Sequence, residues 1–266
     1  MRKRAAKAAQ RRVEAAQEAA TRRVEAAQEA AARGVEVARQ SAADVREQAA
    51  DVVARVKPRL RGVIHEYAFF AAVALGALLI VRANGGREVA AVAIYAAGIC
   101  GLFGVSALYH RVTWRPQTRA WMRRLDHSMI FVFIAASFTP FALLVLDGTL
   151  AVTILAVVWG GALAGVAFSL LWVGAPKWLT AIVYVALGMV AIVTVPDMWQ
   201  QLGWLPVAGV AMGGLLYTAG AVIYATERPD PAPTVYGYHE LFHTLVTGAA
   251  AMHYAVVAFA VLPLAS

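Results

Sequence analysis

The sequence predicts an all-α integral membrane protein: seven transmembrane helices, N-terminus cytoplasmic, preceded by a helical arm. Three observations carry that prediction. Charge is crowded into residues 1–62 and is nearly absent from the rest. The apolar remainder divides into seven segments, each close to the ~20 residues that cross a bilayer. Arginines collect in particular connections between them, which sets an orientation. Of the 266 residues, 61% are hydrophobic and only 15% charged, with a mean hydropathy of +0.62. A soluble domain would carry about a quarter charged residues. The formal net charge of +8 comes largely from the arm and one connection. Beside a membrane body that charge points to an anionic lipid surface and not to nucleic acid. Cys100 is the only cysteine, so no intramolecular disulfide is expected. The first apolar run begins near Val63, so no secretory signal is read.

The arm, residues 1–57, repeats with a period of 11: "RRVEAAQEAAT", "RRVEAAQEAAA", then the looser "RGVEVARQSAA" and "DVREQAADVVA". Three helical turns fit that period, and alanine, glutamate, glutamine and arginine all favour helix. Arg11, Arg22, Glu14, Glu18, Glu25 and Glu29 make a mixed-charge face, opposite alanines with Val13, Val24 and Val35. So thin an apolar face suits a solvated helix, a weak coiled coil or a helix lying on a lipid surface, with disorder as the remaining alternative; its expected partners are anionic lipid or another helix. Pro58 is expected to end it.

The body, residues 58–266, holds apolar segments at about 63–82, 88–109, 125–146, 149–172, 178–196, 203–225 and 240–264. Between the third and fourth only "LDGT" intervenes, and Asp147–Gly148 supply the turn. The second connection carries Arg111, Arg115, Arg119, Arg123 and Arg124. Two crossings separate it from the basic arm, so both fall on one side, expected to be cytoplasmic, with the C-terminus outside. Arg82 and Arg87 in the first connection are a mild exception. Trp114, Trp121, Trp178, Trp199 and Trp204 lie near segment ends, as interfacial anchors do.

On this topology the intramembrane polar residues collect at one depth. His110 ends segment two, with Ser106 one turn before it. Asp126 begins segment three, and His239 and His243 begin segment seven. Ionisable residues in membrane segments are costly and are candidates for function. His239 and His243, four apart, leave one helical face. With His110 they offer three nitrogens and an open fourth position for water, the pattern of a catalytic zinc. Asp126 can orient or deprotonate that water. Ser106 can hydrogen-bond a substrate carbonyl, the water or Asp126. His65 is a candidate for supporting the centre. His127 points about 100° from Asp126, and His253 lies about 15 Å deeper than His243.

The same stretch also spells "HELFH", the H-E-x-x-H signature of zinc metalloproteases. An intramembrane protease would add a distant aspartate, and "VLDG" at Val145–Gly148 offers Asp147. That residue falls on the opposite side, about 30 Å away across the hydrocarbon. Glu240 is therefore read as a neighbour of the two histidines, paired with a cytoplasmic arginine.

"SALYH", "LDHSMIFVFIAASFTPF", "GGLLYTAGAVIYATERP" and "HELFHTLVTGAAAMHY" occur in an order that resembles the bacterial hemolysin III proteins, which are similar to the progestin and adipoQ receptors and, more distantly, to alkaline ceramidases. The likeness covers about residues 58–266 and not the arm. It implies seven helices with a cytoplasmic N-terminus and an intramembrane zinc near the cytoplasmic side. The implied ligands are His110, His239 and His243, with Ser106 and Asp126 beside them. Of the first-helix motif of that family, "LRGVIHEYAF" keeps the histidine, His65, but not the preceding acid. The resemblance implies a zinc hydrolase of the cell membrane acting on a lipid amide or ester. A receptor-like sensor with structural zinc and a pore-forming haemolysin are the alternatives, and membrane lipids are the expected partners in each.

Because the repeats stop at Pro58, deletion of residues 1–55 is expected to leave a membrane-inserted, zinc-loaded body. Metal analysis of the truncated protein checks this; loss of metal or failure to insert would make the arm part of the body.

Overall fold

The computed structural model describes Gly34, Val35 and residues 58–172 and 174–265. The 11-residue repeats of the arm lie outside the described residues, apart from helical Gly34 and Val35. The rest is helical: α1 Val63–Arg82, α2 Gly86–Arg111, α3 Pro116–Leu144, α4 Gly148–Leu171, α5 Lys177–Gly188, α6 Ala191–Leu202, α7 Trp204–Thr226 and α8 Tyr238–Val256. A π-helical turn, Val257–Val261, and the short α9, Leu262–Ala265, continue α8. Counting α5 with α6, and α8 with its continuation, seven spans among the described residues are long and apolar enough to cross a membrane.

Several boundaries differ from those read off hydropathy by two residues or more. Hydropathy starts segment three near 125, yet α3 starts at Pro116. Proline suits the first helical position because its missing N–H has no partner there anyway, and Arg115 before it is extended. The first turns of α3 are polar, so hydropathy sees only the later part. Asp126 consequently sits about 15 Å into the helix by the 1.5 Å rise per residue, not at its start. The second difference is in the fifth span. It breaks after Gly188, and then α6 runs through Pro196 to Leu202, where "PDMWQQLG" suggested a connection. Buried Thr194 and Met198 hold α6 in the bundle, with Thr194 donating to the Ala191 carbonyl at 2.8 Å. Only Gly203 then separates α6 from α7. The third is the last span, which begins at Tyr238 and not near 240.

The helices close into a ring. Helix α1 packs on α2, α2 on α3, α3 on α4, α5 on α7, α7 on α8, and α8 returns to α1. The buried faces are unequal. Helix α3 is the most buried span and touches the π-helical turn and α9 as well as its ring neighbours. Its alternating faces serve two clusters. Phe133 joins Tyr95, Leu102, Phe103 and Val257, and Phe131 joins Ile154, Val158 and Ala162 of α4. The spans with the least burial, α1, α4, α5–α6 and α7, carry exposed Leu, Val, Ile and Trp. That is the surface expected against lipid, where backbone polar groups must be satisfied within the helix.

Close approach of α4 to α3 depends on Gly165. A Cβ there would collide with the ring of Phe131, which is fully buried, whereas a Cβ at Gly160 meets nothing within 4 Å. Overpacking of this kind costs about 1–3 kcal/mol. Gly165→Ala is therefore expected to lower the thermal midpoint of the purified protein, and Gly160→Ala to leave it unchanged or slightly raise it.

Candidate metal centre

Histidines from three helices meet at one end of the bundle. His110 comes from the last turn of α2, and His239 and His243 from the first two turns of α8. Their ring centroids are 4.8 Å (110–239), 5.0 Å (110–243) and 4.5 Å (239–243) apart. One ligating nitrogen from each lies within 4.8 Å of the others. Nε2 of His110 and Nε2 of His239 are 3.1 Å apart. His65, from the first turn of α1, stacks flat on His243 at 3.8 Å with an interplanar angle of 2°. Its Nδ1 is 2.9 Å from Ser106 Oγ. Ser106 therefore has a partner that the sequence reading did not choose for it. The same hydroxyl also interacts with the Asp126 carboxylate, whose Oδ2 is 3.9 Å from His110 Nε2. All five sequence-selected residues, and His65 with them, thus come together.

The donor set fits a metal ion. A tetrahedral zinc with bonds of about 2.0–2.1 Å holds its nitrogens ~3.3 Å apart, and the His110–His239 spacing of 3.1 Å is close to that. His110 and His243 are buried and His239 half-buried, where several protonated imidazoles would repel one another in a low dielectric. Neutral imidazoles converging on one point are suited to a divalent cation, and three of them leave a position open.

The local geometry is fixed by the start of α8. Glu240 accepts from the Gly237 N–H at 2.9 Å, and Asp230 accepts from the Tyr238 N–H at 2.8 Å. These acceptors satisfy backbone donors that a helix start leaves free. Across the chain, Arg59 and Leu60 donate their N–H groups to the carbonyls of Thr234 and Val235, each at 3.1 Å. The segment before α1 is thereby tied to the α7–α8 connection. It passes tightly over His110 at Gly62, which has φ of 78°; a Cβ there would lie 2.6 Å from the His110 Cβ. A left-handed residue without a side chain is what this crossing requires.

Residues 53–254 match the family model described as haemolysin-III related. The chain belongs to that family. It is 31% identical over 191 residues to the hemolysin-3 homolog of Bacillus subtilis (strain 168), covering 71% of this chain and 86% of that protein. It is likewise 31% identical over 195 residues to hemolysin-3 of Bacillus cereus, covering 73% and 86%. The monocyte to macrophage differentiation factor of Homo sapiens is 30% identical over 168 residues, covering 60% and 66%.

In this haemolysin-III related chain the other polar groups of the region have separate places. The carboxylate of Glu240 is fully buried and pairs with Arg61 as well as capping Gly237. That matches the sequence reading of a glutamate paired with an arginine. Asp147 stands at the N-cap position of α4, without a side-chain capping bond, beyond the far end of α3, 21 residues or ~31 Å of helical rise from Asp126. His127 meets Tyr224 edge-on at 6.5 Å, and its carbonyl accepts from the Tyr184 hydroxyl at 3.2 Å. His253 is 3.1 Å from the Val210 carbonyl, away from the centre. Sequence reasoning missed Arg61, Lys177, Tyr224 and Tyr238. Lys177 Nζ donates to Tyr238 Oη and Glu227 Oε1, each at 2.8 Å, and lies 5.6 Å from the Tyr224 ring. The only signal for them was their position at segment ends on the side of the bundle that carries the histidines.

Removing one partner of a buried ion pair leaves an uncompensated charge and costs about 3–5 kcal/mol. Arg61→Ala is expected to destabilise the protein by that order. Glu240→Gln should cost less, because the amide oxygen can still accept from Gly237. Thermal unfolding of the two variants side by side checks the ranking; equal midpoints would mean that the pair contributes little.

Proposed function

We propose that this protein is a zinc-dependent hydrolase embedded in the cell membrane, cleaving an amide or ester bond of a lipid and so affecting membrane lipid composition. The observation that carries the reading is the carboxylate of Asp126 standing 3.9 Å from His110 Nε2, beside a convergent set of three histidines. A structural zinc needs four closed ligands and no base; three nitrogens with a carboxylate at their edge suit hydrolysis.

Zinc held by His110, His239 and His243 would supply a Lewis acid and make water a competent nucleophile near neutral pH. Asp126 would take a proton from the attacking water. The water oxygen then bonds to the acyl carbon, the carbon–nitrogen or carbon–oxygen bond breaks, and Asp126 returns the proton to the leaving amine or alcohol. The products are a carboxylic acid and the amine or alcohol. Ser106, with His65 beside it, orients the carboxylate. His65 stacks against His243 and so restrains the imidazole plane, as supporting residues of metal sites do. Glu240 takes no part in proton transfer, because Arg61 and the Gly237 N–H occupy its carboxylate.

The orientation proposed is N-terminus cytoplasmic and C-terminus outside. Arg59, Arg61, Arg111, Arg115, Arg119, Arg123, Arg124 and Lys177 all fall before α1 or in and beside the α2–α3 and α4–α5 connections, at the end of the bundle that carries the histidines; the α1–α2 connection at the other end is flanked by Arg82 and Arg87. That bias follows the positive-inside rule. The arm, residues 1–57, is proposed as a separate cytoplasmic element that binds an anionic lipid surface or a helical partner.

The test compares near-isosteric variants by zinc content and by lipid composition of the host membrane. His110→Ala, His239→Ala and His243→Ala should each lower zinc below the one per chain expected of wild type. Asp126→Asn should keep most of the zinc and lose about 100-fold or more in turnover, the lower range for general acid–base catalysis. Glu240→Gln should turn over near the wild-type rate. Unchanged lipids between wild type and His239→Ala would leave a sensor with structural zinc, and an inactive Glu240→Gln beside an active Asp126→Asn would reverse the two roles.

A further inference from the structure

Two cations lie close to the histidine centre. Lys177, the first residue of α5, lies 5.0 Å above the Tyr238 ring and 5.6 Å from that of Tyr224. Those two rings are 6.1 and 6.2 Å from His239, so the ammonium is one aromatic ring away from the centre. On α3, Arg123 lies one turn before Asp126 and His127. The charge of Arg123 acts on Asp126, His127 and Tyr224, and that of Lys177 acts on His127, Tyr224 and His239. His127 and Tyr224 therefore feel both cations.

These two differ from the cations around them. Arg61 pairs with Glu240, Arg111 with Glu66, and Arg124 donates to the Leu170 carbonyl. Arg115 is exposed at the start of α3. Arg123 is half-buried and forms no ion pair or side-chain hydrogen bond among the described residues. An ammonium has three donors; Lys177 uses two, on Tyr238 and on exposed Glu227. One N–H of Lys177 and the whole guanidinium fork of Arg123 are left for a ligand. Topology alone would have been served by arginines at the exposed helix ends.

We propose that this mouth takes a phosphate-bearing lipid headgroup, with Arg123 and Lys177 reading its charge. The proposal rests on the reading of the centre as lipid-processing and adds the class of lipid. A guanidinium fork binds two phosphate oxygens at once, and an ammonium binds a third as a point charge. Indole side chains mark the depth. Trp121 and Trp178 are exposed beside these cations, and Arg124 stacks over Trp121 at 4.9 Å. Tryptophans settle at the level of the headgroups, which favours a lipid phosphate over a free one.

The full-length protein in a maltoside detergent, which carries no phosphate, is titrated with phosphatidic acid, with diacylglycerol of the same chains and with inorganic phosphate, and binding is read by native mass spectrometry. Phosphatidic acid is expected to bind at least about 10-fold more tightly than diacylglycerol. Arg123→Gln and Lys177→Gln should each lose roughly 10-fold for phosphatidic acid and nothing for diacylglycerol, with zinc content unchanged. Arg123→Lys should fall between, and Arg115→Gln should match wild type. Equal binding of the two lipids, equal binding by wild type and Arg123→Gln, or a loss at Arg115→Gln as large as at Arg123→Gln overturns the proposal. Displacement of phosphatidic acid by millimolar inorganic phosphate overturns the lipid assignment. Charge-dependent binding in a protein without any lipid turnover would retain the headgroup site while removing the hydrolase reading.

Discussion

A polar side chain inside a membrane bundle has no bulk water to turn to, so it must find its partner among the helices that surround it. At the histidine end this constraint acts on Glu240, His65, Ser106, His110 and His243 together, all of them buried. Four of the five have a hydrogen-bond or ion-pair partner on another element, and His243 stacks on His65. Glu240 is tied to Arg61 before α1, His65 to Ser106 of α2, and His110 to His239 of α8. No one helix can form this end alone. The pairing of α8 with both α1 and α2 is therefore fixed by chemistry as well as by apolar packing, and the convergence of the three imidazoles follows from it.

The same constraint explains which features could be read from the sequence. Seven spans were legible because each must be a long apolar helix, and length and hydropathy report that directly. Segment ends were less legible. The polar first turns of α3, from Pro116 to Arg124, carry a helix that hydropathy does not see, and Pro196 suggested a connection where α6 continues. The break of the fifth span after Gly188 also had no signal in an uninterrupted apolar run.

His239 and His243 were legible by their spacing of four, and His110 and Asp126 by their shared end. The partners of those residues were not legible. Arg61, Lys177 and Tyr224 reach the region from different elements, and no periodicity links residues that meet only after folding. Ser106 illustrates the limit: its place one turn before His110 follows from helix geometry, whereas its choice of His65 depends on how α1 packs against α2.

"HELFH" shows how one short string serves two chemistries. In a protease the glutamate between the histidines must turn toward the metal to act on water. Here residue 240 is one position past His239, rotated about 100° around the helix, and what it meets on that side is Arg61 and the free N–H of Gly237. A carboxylate so engaged is a structural anion holding the start of α8. Asp126, brought to His110 by the packing of α3 on α2, is the carboxylate that stands beside the histidines from another helix. The helix that presents two histidines is thus fixed by its own acid, while the carboxylate nearest His110 comes from a neighbouring helix.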